Sequence, residues 1–335
     1  MKTTEIVLRK RPDGLPTAGD FGLREIELGV PAVGEVLVRL LWLSVDPYMR
    51  GRMSGLRTYV APFQLDEPIA GAGVAQVLES MDPAVVPGDF VLGNFRWRQF
   101  DVTSAAHLKR IDPDQAPLSA HLGVLGMPGF TAFVGLKRIG DLKPSDTVYI
   151  SAAAGAVGSF AGQIAKILGA KVIGSASSHE KVRSVVDKGF DAAFSYRERS
   201  VSNALKELAP EGVDLYFDNV GGEHLQGAIS NMANFGRIVM CGAISQYNLT
   251  SPAPGPSNLS LVISRRLTIR GFIVSDHSDM QDSFMAEAAD WLSSGKLKYD
   301  ETVREGLESA PGALIELFEG ANVGKMLVRV APPEG

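Results

Sequence analysis

Of the 335 residues in the chain, one is cysteine. A single thiol, Cys241, excludes an intramolecular disulfide and any metal centre built from several thiolates, and it fits a reducing compartment. Long apolar runs are also missing. The N-terminal stretch MKTTEIVLRKRPDG is basic, but no apolar core of signal-peptide length follows it, and no run approaches the roughly 20 apolar residues that span a bilayer. A soluble, cytoplasmic protein with no membrane partner is therefore expected. Neither sign of charge dominates: 33 Lys and Arg against 38 Asp and Glu leave a net charge of -5. That balance argues against a general nucleic-acid binder, which would carry a basic face. Internal repeats and low-complexity tracts are absent.

Glycine, by contrast, is plentiful. The 36 glycines make up about 11% of the chain against a usual value of about 7%, with no Gly-X-Y period, and imply tight turns or close backbone approaches. Hydrophobic residues at 45% and charged residues at 21% are globular values. At roughly 150 residues per domain, two domains are expected.

Up to about residue 125, short apolar runs alternate with turn residues: VLVRLLWLSV at Val36 to Val45, GAGVAQVLES at Gly71 to Ser80 and GDFVLGNFRWRQFDVT at Gly88 to Thr103. This pattern predicts an irregular β-barrel or sandwich. Beyond Leu125 the texture changes to strand, helix, strand, helix, from TVYISA through KVIGSAS, AAFSY and VDLYFDNV to GRIVMCGAI. Strands that are apolar throughout, alternating with helices, predict an α/β fold with a doubly wound parallel sheet. LTIRGFIV at Leu267 to Val274 is expected as a further strand, MQDSFMAEAADWLSSGKL as a helix stopped near Gly295, and KMLVRV as a strand that returns to the first domain.

The segment TVYISAAAGAVGSFAGQIAKIL carries the clearest chemical signal. A buried strand ends at Ala152, Gly155 and Gly158 permit a tight turn and the approach of a pyrophosphate, and a helix with its positive dipole end starts directly behind them. Ala-x-x-Gly-x-x-Gly is not Gly-x-Gly-x-x-Gly, so a plain structural turn is the competing reading. At the end of the second strand, where an NAD site carries an acid for the ribose 2′-OH, Gly174, Ser175, Ala176, Ser177 and Ser178 stand instead. Nothing there repels a 2′-phosphate, and Lys181 follows as a candidate point charge for it, its alternative being a solvated helix lysine. NADP(H) is the expected cofactor.

LSVDPYMRGRM, LGMPGFTAFVGL, SAAAGAVGSFAGQIAK, FDNVGG, CGAISQYN and GFIV occur in order over nearly the whole chain. Together they resemble the zinc-independent medium-chain dehydrogenase/reductases, within them the prostaglandin reductase, leukotriene hydroxydehydrogenase and curcumin reductase branch. The resemblance implies a GroES-like domain at 1–125 completed by 298–335, a Rossmann domain at 126–297, NADPH in the cleft and a homodimer. It also implies reduction of the C=C bond of an α,β-unsaturated ketone or aldehyde by hydride transfer to the β-carbon. Carried over by motif, the cofactor residues are Gly155, Ala156, Val157 and Gly158 at the phosphates, Ser177, Lys181 and Tyr196 at the 2′-phosphate, and Asn219, Cys241, Tyr247, Phe272, Val274 and Asn322 towards ribose and nicotinamide. Met127 and Thr131 would line the nicotinamide side. Arg197, after FSY, departs from the usual pattern.

Zinc can be weighed on the residues. His107, His121, His179, His224 and His277 are scattered, Cys241 stands alone, and Ile69, Ala70 and Gly71 occupy the place where zinc-dependent relatives read Gly-His-Glu. No metal is expected, and alcohol oxidation becomes the less attractive reaction. Hydride addition to an enone puts negative charge on the carbonyl oxygen, which a protonated tyrosine can stabilise. Tyr48, Tyr59 and Tyr247 are the candidates; Tyr48 could instead fill a domain interface, Tyr59 lies in an expected mobile loop, and Tyr247 could serve the ribose. Arg50 and Arg52 are expected as solvated or salt-bridged surface arginines, with an acidic substrate as the alternative. SPAPGPSN at Ser251 to Asn258 is expected as a flexible lid. The competing functions are a quinone reductase of the same superfamily and a non-catalytic NADPH-binding protein.

Overall fold

In the computed structural model, which describes residues 1–334, the chain divides into two units. The first comprises Met1–Leu122, Glu301–Asn322 and the chain from Met326 onward; the second comprises Gly123–Asp300 and Val323–Lys325.

The first unit begins with a hairpin of β1 (Lys2–Leu8) and β2 (Phe21–Glu27). Next come β3 (Glu35–Ser44), the short helix α1 (Tyr48–Met53), β4 (Ala70–Ser80), β5 (Phe90–Arg96), β6 (Phe100–Ser104) and β7 (Lys109–Ile111). The expected single run from Gly88 to Thr103 is two strands. It breaks where the Trp97 N–H donates to the Ile69 carbonyl at 2.7 Å and the Arg98 guanidinium turns inward to Glu5. Apolar side chains of β3, β4 and β5 interdigitate with Met49 and Met53 of α1 to form the core of this unit.

The second unit runs through α2 (Met127–Val134), β8 (Thr147–Ile150), α3 (Ala156–Ile167), β9 (Lys171–Ala176), α4 (His179–Asp187), β10 (Ala192–Ser195) and α5 (Val201–Leu208). It continues through β11 (Val213–Asp218), α6 (Gly222–Ile229), β12 (Met232–Met240), α7 (Ser260–Ser264), β13 (Thr268–Gly271) and α8 (Gln281–Ser293). Helix α8 stops at Gly295, whose φ is 71°. The six strands are parallel in the order β10-β9-β8-β11-β12-β13. Numbered within the unit this is 3-2-1-4-5-6, the Rossmann order, with its reversal between β8 and β11. Val148, Tyr149, Ile150, Leu215, Tyr216 and Phe217 are fully buried on those two central strands, which is why both read as unbroken apolar runs. The strand expected over Leu267 to Val274 ends at Gly271, and a 3₁₀ turn from Val274 takes over.

The C-terminal segment returns to the first unit, where β14 (Glu301–Glu305), α9 (Ala310–Glu319) and β15 (Lys325–Arg329) complete a sheet in the order β14-β15-β3-β4-β5-β7. Met326 and Val328 sit in the same core as Val36 and Val38.

Candidate functional site

In an open parallel sheet, ligands bind beyond the carboxyl ends of the strands where the strand order reverses. Here that place is the pair β8 and β11, whose ends are tied by a buried polar network. The Ser151 hydroxyl donates to Asp218 Oδ1 at 3.3 Å, and the Asn219 side chain donates to the Ser151 carbonyl at 2.8 Å. Asp218 Oδ1 also accepts from Tyr216 Oη at 2.6 Å and from the N–H groups of Val220 and Gly221 at 2.9 and 2.8 Å, so one carboxylate oxygen shapes the whole FDNVGG turn. Its other oxygen is buried with no partner, and burial raises the Asp218 carboxyl above its ordinary range.

The turn from β8 into α3 differs from expectation in one respect. Its left-handed residue is Ala152, with φ of 49°, whereas Gly155 has an ordinary φ of -80°. Gly158 is required for another reason: a Cβ there would lie 2.3 Å from the Ala152 carbonyl oxygen. The two glycines therefore act by lacking side chains and not by unusual dihedrals. At Gly155 a Cβ would meet only the Ala152 oxygen, at 3.2 Å, which leaves the helix N-terminus with Ala156 and Val157 open to an incoming anion. A further glycine, Gly324, had no signal in the sequence beyond its family motif. It forms a parallel bridge with Gly155 and donates to the Ala154 carbonyl at 2.8 Å.

At the end of β9, Ser178 caps α4 by accepting from the Lys181 N–H at 3.3 Å, and Ser177 stands half-buried beside it. The Lys181 ammonium is half-buried; burial first, then the neighbouring Arg197 charge, lowers its pKa below the usual lysine range. Two cations thus share this strand end, and the sequence reading singled out only one. Tyr196 turns its ring edge-on to His224 at 4.8 Å. His224 is buried, its Nε2 has no partner, and burial holds its pKa down at about 4.

Beyond β12, the chain from Cys241 to Tyr247 folds back on itself. Cys241 and Gly242 donate their N–H groups to the Asp218 carbonyl, and the Ala243 N–H donates to the Tyr247 hydroxyl at 3.2 Å. Burial pushes the Cys241 thiol up to about 12 and raises the Tyr247 hydroxyl as well. Phe272 and Val274 follow β13, half-buried, with the Phe272 ring 6.3 Å from that of His277. On α2, the Thr131 hydroxyl donates to the exposed Met127 carbonyl at 2.7 Å. Asn322 lies in the first unit and is buried there. The expected lid is fastened at one end: the N–H of Ser257 and the side chain of Asn258 both bind Gln226 of α6, at 2.9 Å each.

The remaining two tyrosines belong to the first unit. Tyr48 starts α1, half-buried, one helical turn before Arg52. Tyr59 is 65% exposed on the loop after α1. The expectation for Arg50 fails, because it is buried and donates to the carbonyls of Pro12 and Gly14 at 3.1 and 2.9 Å. Arg52 is no solvated surface arginine either. Its Nε donates to the Ala61 carbonyl at 2.9 Å, its Nη1 to the Ala70 carbonyl at 3.3 Å, and its guanidinium stacks 3.9 Å from the Phe63 ring centroid.

Two family profiles match the chain: "N-terminal domain of oxidoreductase" over residues 4–111 and "Zinc-binding dehydrogenase" over residues 156–291. The residues present do not fit the zinc in the second description. Among the described residues, no three His, Cys, Asp or Glu side chains converge, and the Cys241 thiol is held protonated. Prostaglandin reductase 1 of Bos taurus is 44% identical, covering 96% of this chain and 97% of its own. The NADP⁺-dependent 2-alkenal reductase of Nicotiana tabacum is 43% identical, covering 98% and 97%. Among solved structures, CurA of Vibrio vulnificus in complex with NADPH superimposes with a TM-score of 0.93 at 39% identity, covering 98% of this chain and all of its own.

Proposed function

Because the chain belongs to the medium-chain dehydrogenase/reductases, we infer that it is an NADP(H)-dependent oxidoreductase that reduces the C=C bond of α,β-unsaturated aldehydes or ketones. The observation that carries the cofactor choice is the end of β9. Ser177 and Ser178 stand where a ribose-binding acid would, and Lys181 and Arg197 share the ground beside them. A 2′-phosphate would relieve the mutual repulsion of those two cations, whereas a bare 2′-hydroxyl would not.

NADPH, when bound, supplies a hydride to the β-carbon of the enone. In this reading the turn of Gly155, Ala156, Val157 and Gly158 holds the pyrophosphate by backbone N–H groups and the helix dipole. Ser177, Lys181 and Tyr196 hold the 2′-phosphate, with Arg197. Asn219, Cys241, Tyr247, Phe272, Val274, Met127, Thr131 and Asn322 surround the ribose and nicotinamide.

Negative charge then gathers on the substrate's carbonyl oxygen, and a donor fixed at that oxygen stabilises the transition state more than the ground state. We assign this donor to Tyr48. Its burial raises the hydroxyl above the usual phenol range, so the group keeps its proton throughout the working pH range. The Tyr247 hydroxyl already accepts from Ala243, which suits a ribose contact, and the exposed Tyr59 suits a loop that meets the substrate. No step passes through a metal.

A homodimer joined at β13 is our reading of the assembly. That strand ends the sheet with all four residues exposed, and an unpaired edge beside exposed Ile263 and Ile269 favours pairing with a second copy. We place the protein in the cytoplasm, where a lone thiol stays reduced; no helix among the described residues is long and apolar enough to cross a membrane.

The test is to follow the nicotinamide absorbance band while NADPH is mixed with nonenal, curcumin and a 15-keto prostaglandin-like ketone. Turnover of at least one enone, faster than that of a quinone, is expected. Faster quinone turnover would move the assignment to quinone reduction, and tight NADPH binding with no turnover would make the protein a binder.

A further inference from the structure

Tyr196 and His224 stand on opposite sides of the point where the strand order reverses, yet their rings meet. Tyr196 follows β10, and its N–H donates to the Ala176 carbonyl at 3.1 Å, which sets the residue beside Ser177 at the end of β9. His224 lies in the first turn of α6, where its N–H donates to the Gly221 carbonyl at 3.1 Å. Two strands, β9 and β8, separate β10 from β11, so the contact ties the 2′-phosphate corner to the FDNVGG turn. The ring centroids are 4.8 Å apart and the planes are inclined at 75°, the edge-to-face arrangement that aromatic pairs favour.

The two rings differ in exposure. His224 is 7% exposed and Tyr196 37%, so the imidazole is the fixed member and the phenol is the one whose direction has to be set. The Nε2 nitrogen does not account for the burial of His224, because it has no partner. Burial holds the pKa of the imidazole down at about 4, so it brings no charge to a phosphate at neutral pH. The positive charge at this strand end comes from Lys181 and Arg197. What His224 offers Tyr196 is a ring to rest on.

We propose that His224 is a positioning residue for the choice of cofactor: its ring holds the Tyr196 ring so that the phenol hydroxyl is presented to the 2′-phosphate, which strengthens selection of NADPH over NADH. The proposal rests on the assignment of Tyr196 to that phosphate. An unsupported phenol must be ordered when the nucleotide binds, and that ordering is subtracted from the affinity. Held in advance, the hydroxyl meets the phosphate without this loss. NADH has no 2′-phosphate and gains nothing from the arrangement.

The experiment is a double-mutant cycle with His224→Ala and Tyr196→Phe in the full chain, read by fluorescence titration with NADPH and, in parallel, with NADH. His224→Ala is expected to raise the Kd for NADPH by about 3-fold to 10-fold, the worth of one aromatic pair or one pre-ordered side chain. The Kd for NADH is expected to stay within about twofold, the usual scatter of independent sites. In the Tyr196→Phe background, which keeps the ring and removes the hydroxyl, the same substitution is expected to change NADPH affinity by no more than about twofold. His224→Phe keeps a ring without the unpartnered nitrogen and should recover the original NADPH affinity to within about twofold. Should His224→Ala fail to fold, His224→Leu fills the space without a ring and runs the same cycle. An unchanged Kd for NADPH, or equal weakening of both nucleotides, would overturn the proposal. So would a full additional loss in the Tyr196→Phe background, or a loss by His224→Phe as large as that of His224→Ala, which would make the nitrogen the active part. Unchanged NADPH affinity in Tyr196→Phe alone would instead overturn the assignment of Tyr196 to the phosphate.

Discussion

Replacing Gly158 with alanine separates two ways in which a glycine can serve a nucleotide turn. The added methyl would sit 2.3 Å from the Ala152 oxygen, 2.9 Å from its carbonyl carbon and 3.0 Å from Ala153 Cα. All three are backbone atoms of a turn that cannot yield easily. The Ala152 oxygen accepts from Gly155 N–H at 2.9 Å, and Ala153 N–H donates to the Ser175 carbonyl at 2.9 Å. An ordinary contact begins near 3.4 Å, so α3 must shift by about 1 Å at its first turn. That helix buries Phe160, Ala161, Ile164 and Ala165, and lifting it loosens their packing. Overpacking of this kind costs about 1–3 kcal/mol, reduced by the roughly 0.5–1 kcal/mol that alanine gains over glycine inside a helix. Against backbone atoms the upper end applies, so about 2–2.5 kcal/mol remains, which for a unit of this size corresponds to a fall of roughly 4–10 °C in the apparent Tm of the protein without nucleotide. NADPH affinity, measured by nicotinamide fluorescence, should fall by about tenfold or more as the helix N–H groups leave their places. Gly155→Ala is the internal control, because its φ of -80° suits alanine and its one close neighbour lies at 3.2 Å. Its nucleotide-free Tm should hold or rise by up to roughly 4 °C, the effect of a compatible Gly→Ala change. Equal losses of Tm in the two variants, or an unchanged Tm for Gly158→Ala, would refute the claim that backbone crowding is what fixes glycine at position 158.

Other outcomes follow from the same geometry. Lys181→Ala should weaken NADPH by roughly 10-fold to 100-fold and leave NADH within about twofold, since only the 2′-phosphate uses that charge; equal weakening of both, in a titration with each, would refute the role. Tyr48→Phe should lower kcat by roughly 100-fold to 1000-fold, as loss of one oxyanion donor does, without changing NADPH affinity in the same titration. His224 has a folded pKa of about 4, depressed by burial, against about 6.5 in an unfolded chain, so the unfolded state takes up a proton first as pH falls. Its contribution to stability is present above pH ~6.5 and is lost as pH drops towards 4, and a His224→Gln variant should show a flatter Tm profile in that window; parallel profiles would exclude it. Ile269→Asp, at the exposed edge strand, should convert dimers to monomers in sedimentation analysis, and an unchanged mass would remove β13 as the interface.

Where burial alone decides the structure, the sequence is transparent. Val148 to Ile150 and Leu215 to Phe217 are apolar on both faces because helices cover both, and the strand and helix alternation around them leads directly to a doubly wound sheet. Where a distant residue decides, it is opaque. The run from Gly88 to Thr103 has strand character throughout, and its break at Trp97 and Arg98 is imposed by Ile69 and Glu5, which belong to other parts of the chain. Likewise, the extended pattern of LTIRGFIV continues past Gly271, but the chain turns there into a 3₁₀ segment in which Phe272 meets His277.

The site divides along the same line. Gly155, Gly158, Lys181 and Tyr48 are legible because each stands in a local motif whose chemistry is complete within a few residues. Arg197, Gly324 and Arg52 are not, because their meaning comes from what lies beside them in space. Arg52 shows why composition misleads: an arginine in an exposed-looking Tyr-Met-Arg-Gly-Arg-Met helix is most often a solvated cation. Here two backbone carbonyls and an aromatic face hold it with no carboxylate partner among the described residues. A cation fixed in this way loses hydration without gaining a counter-charge, and burial lowers its pKa below the usual arginine range.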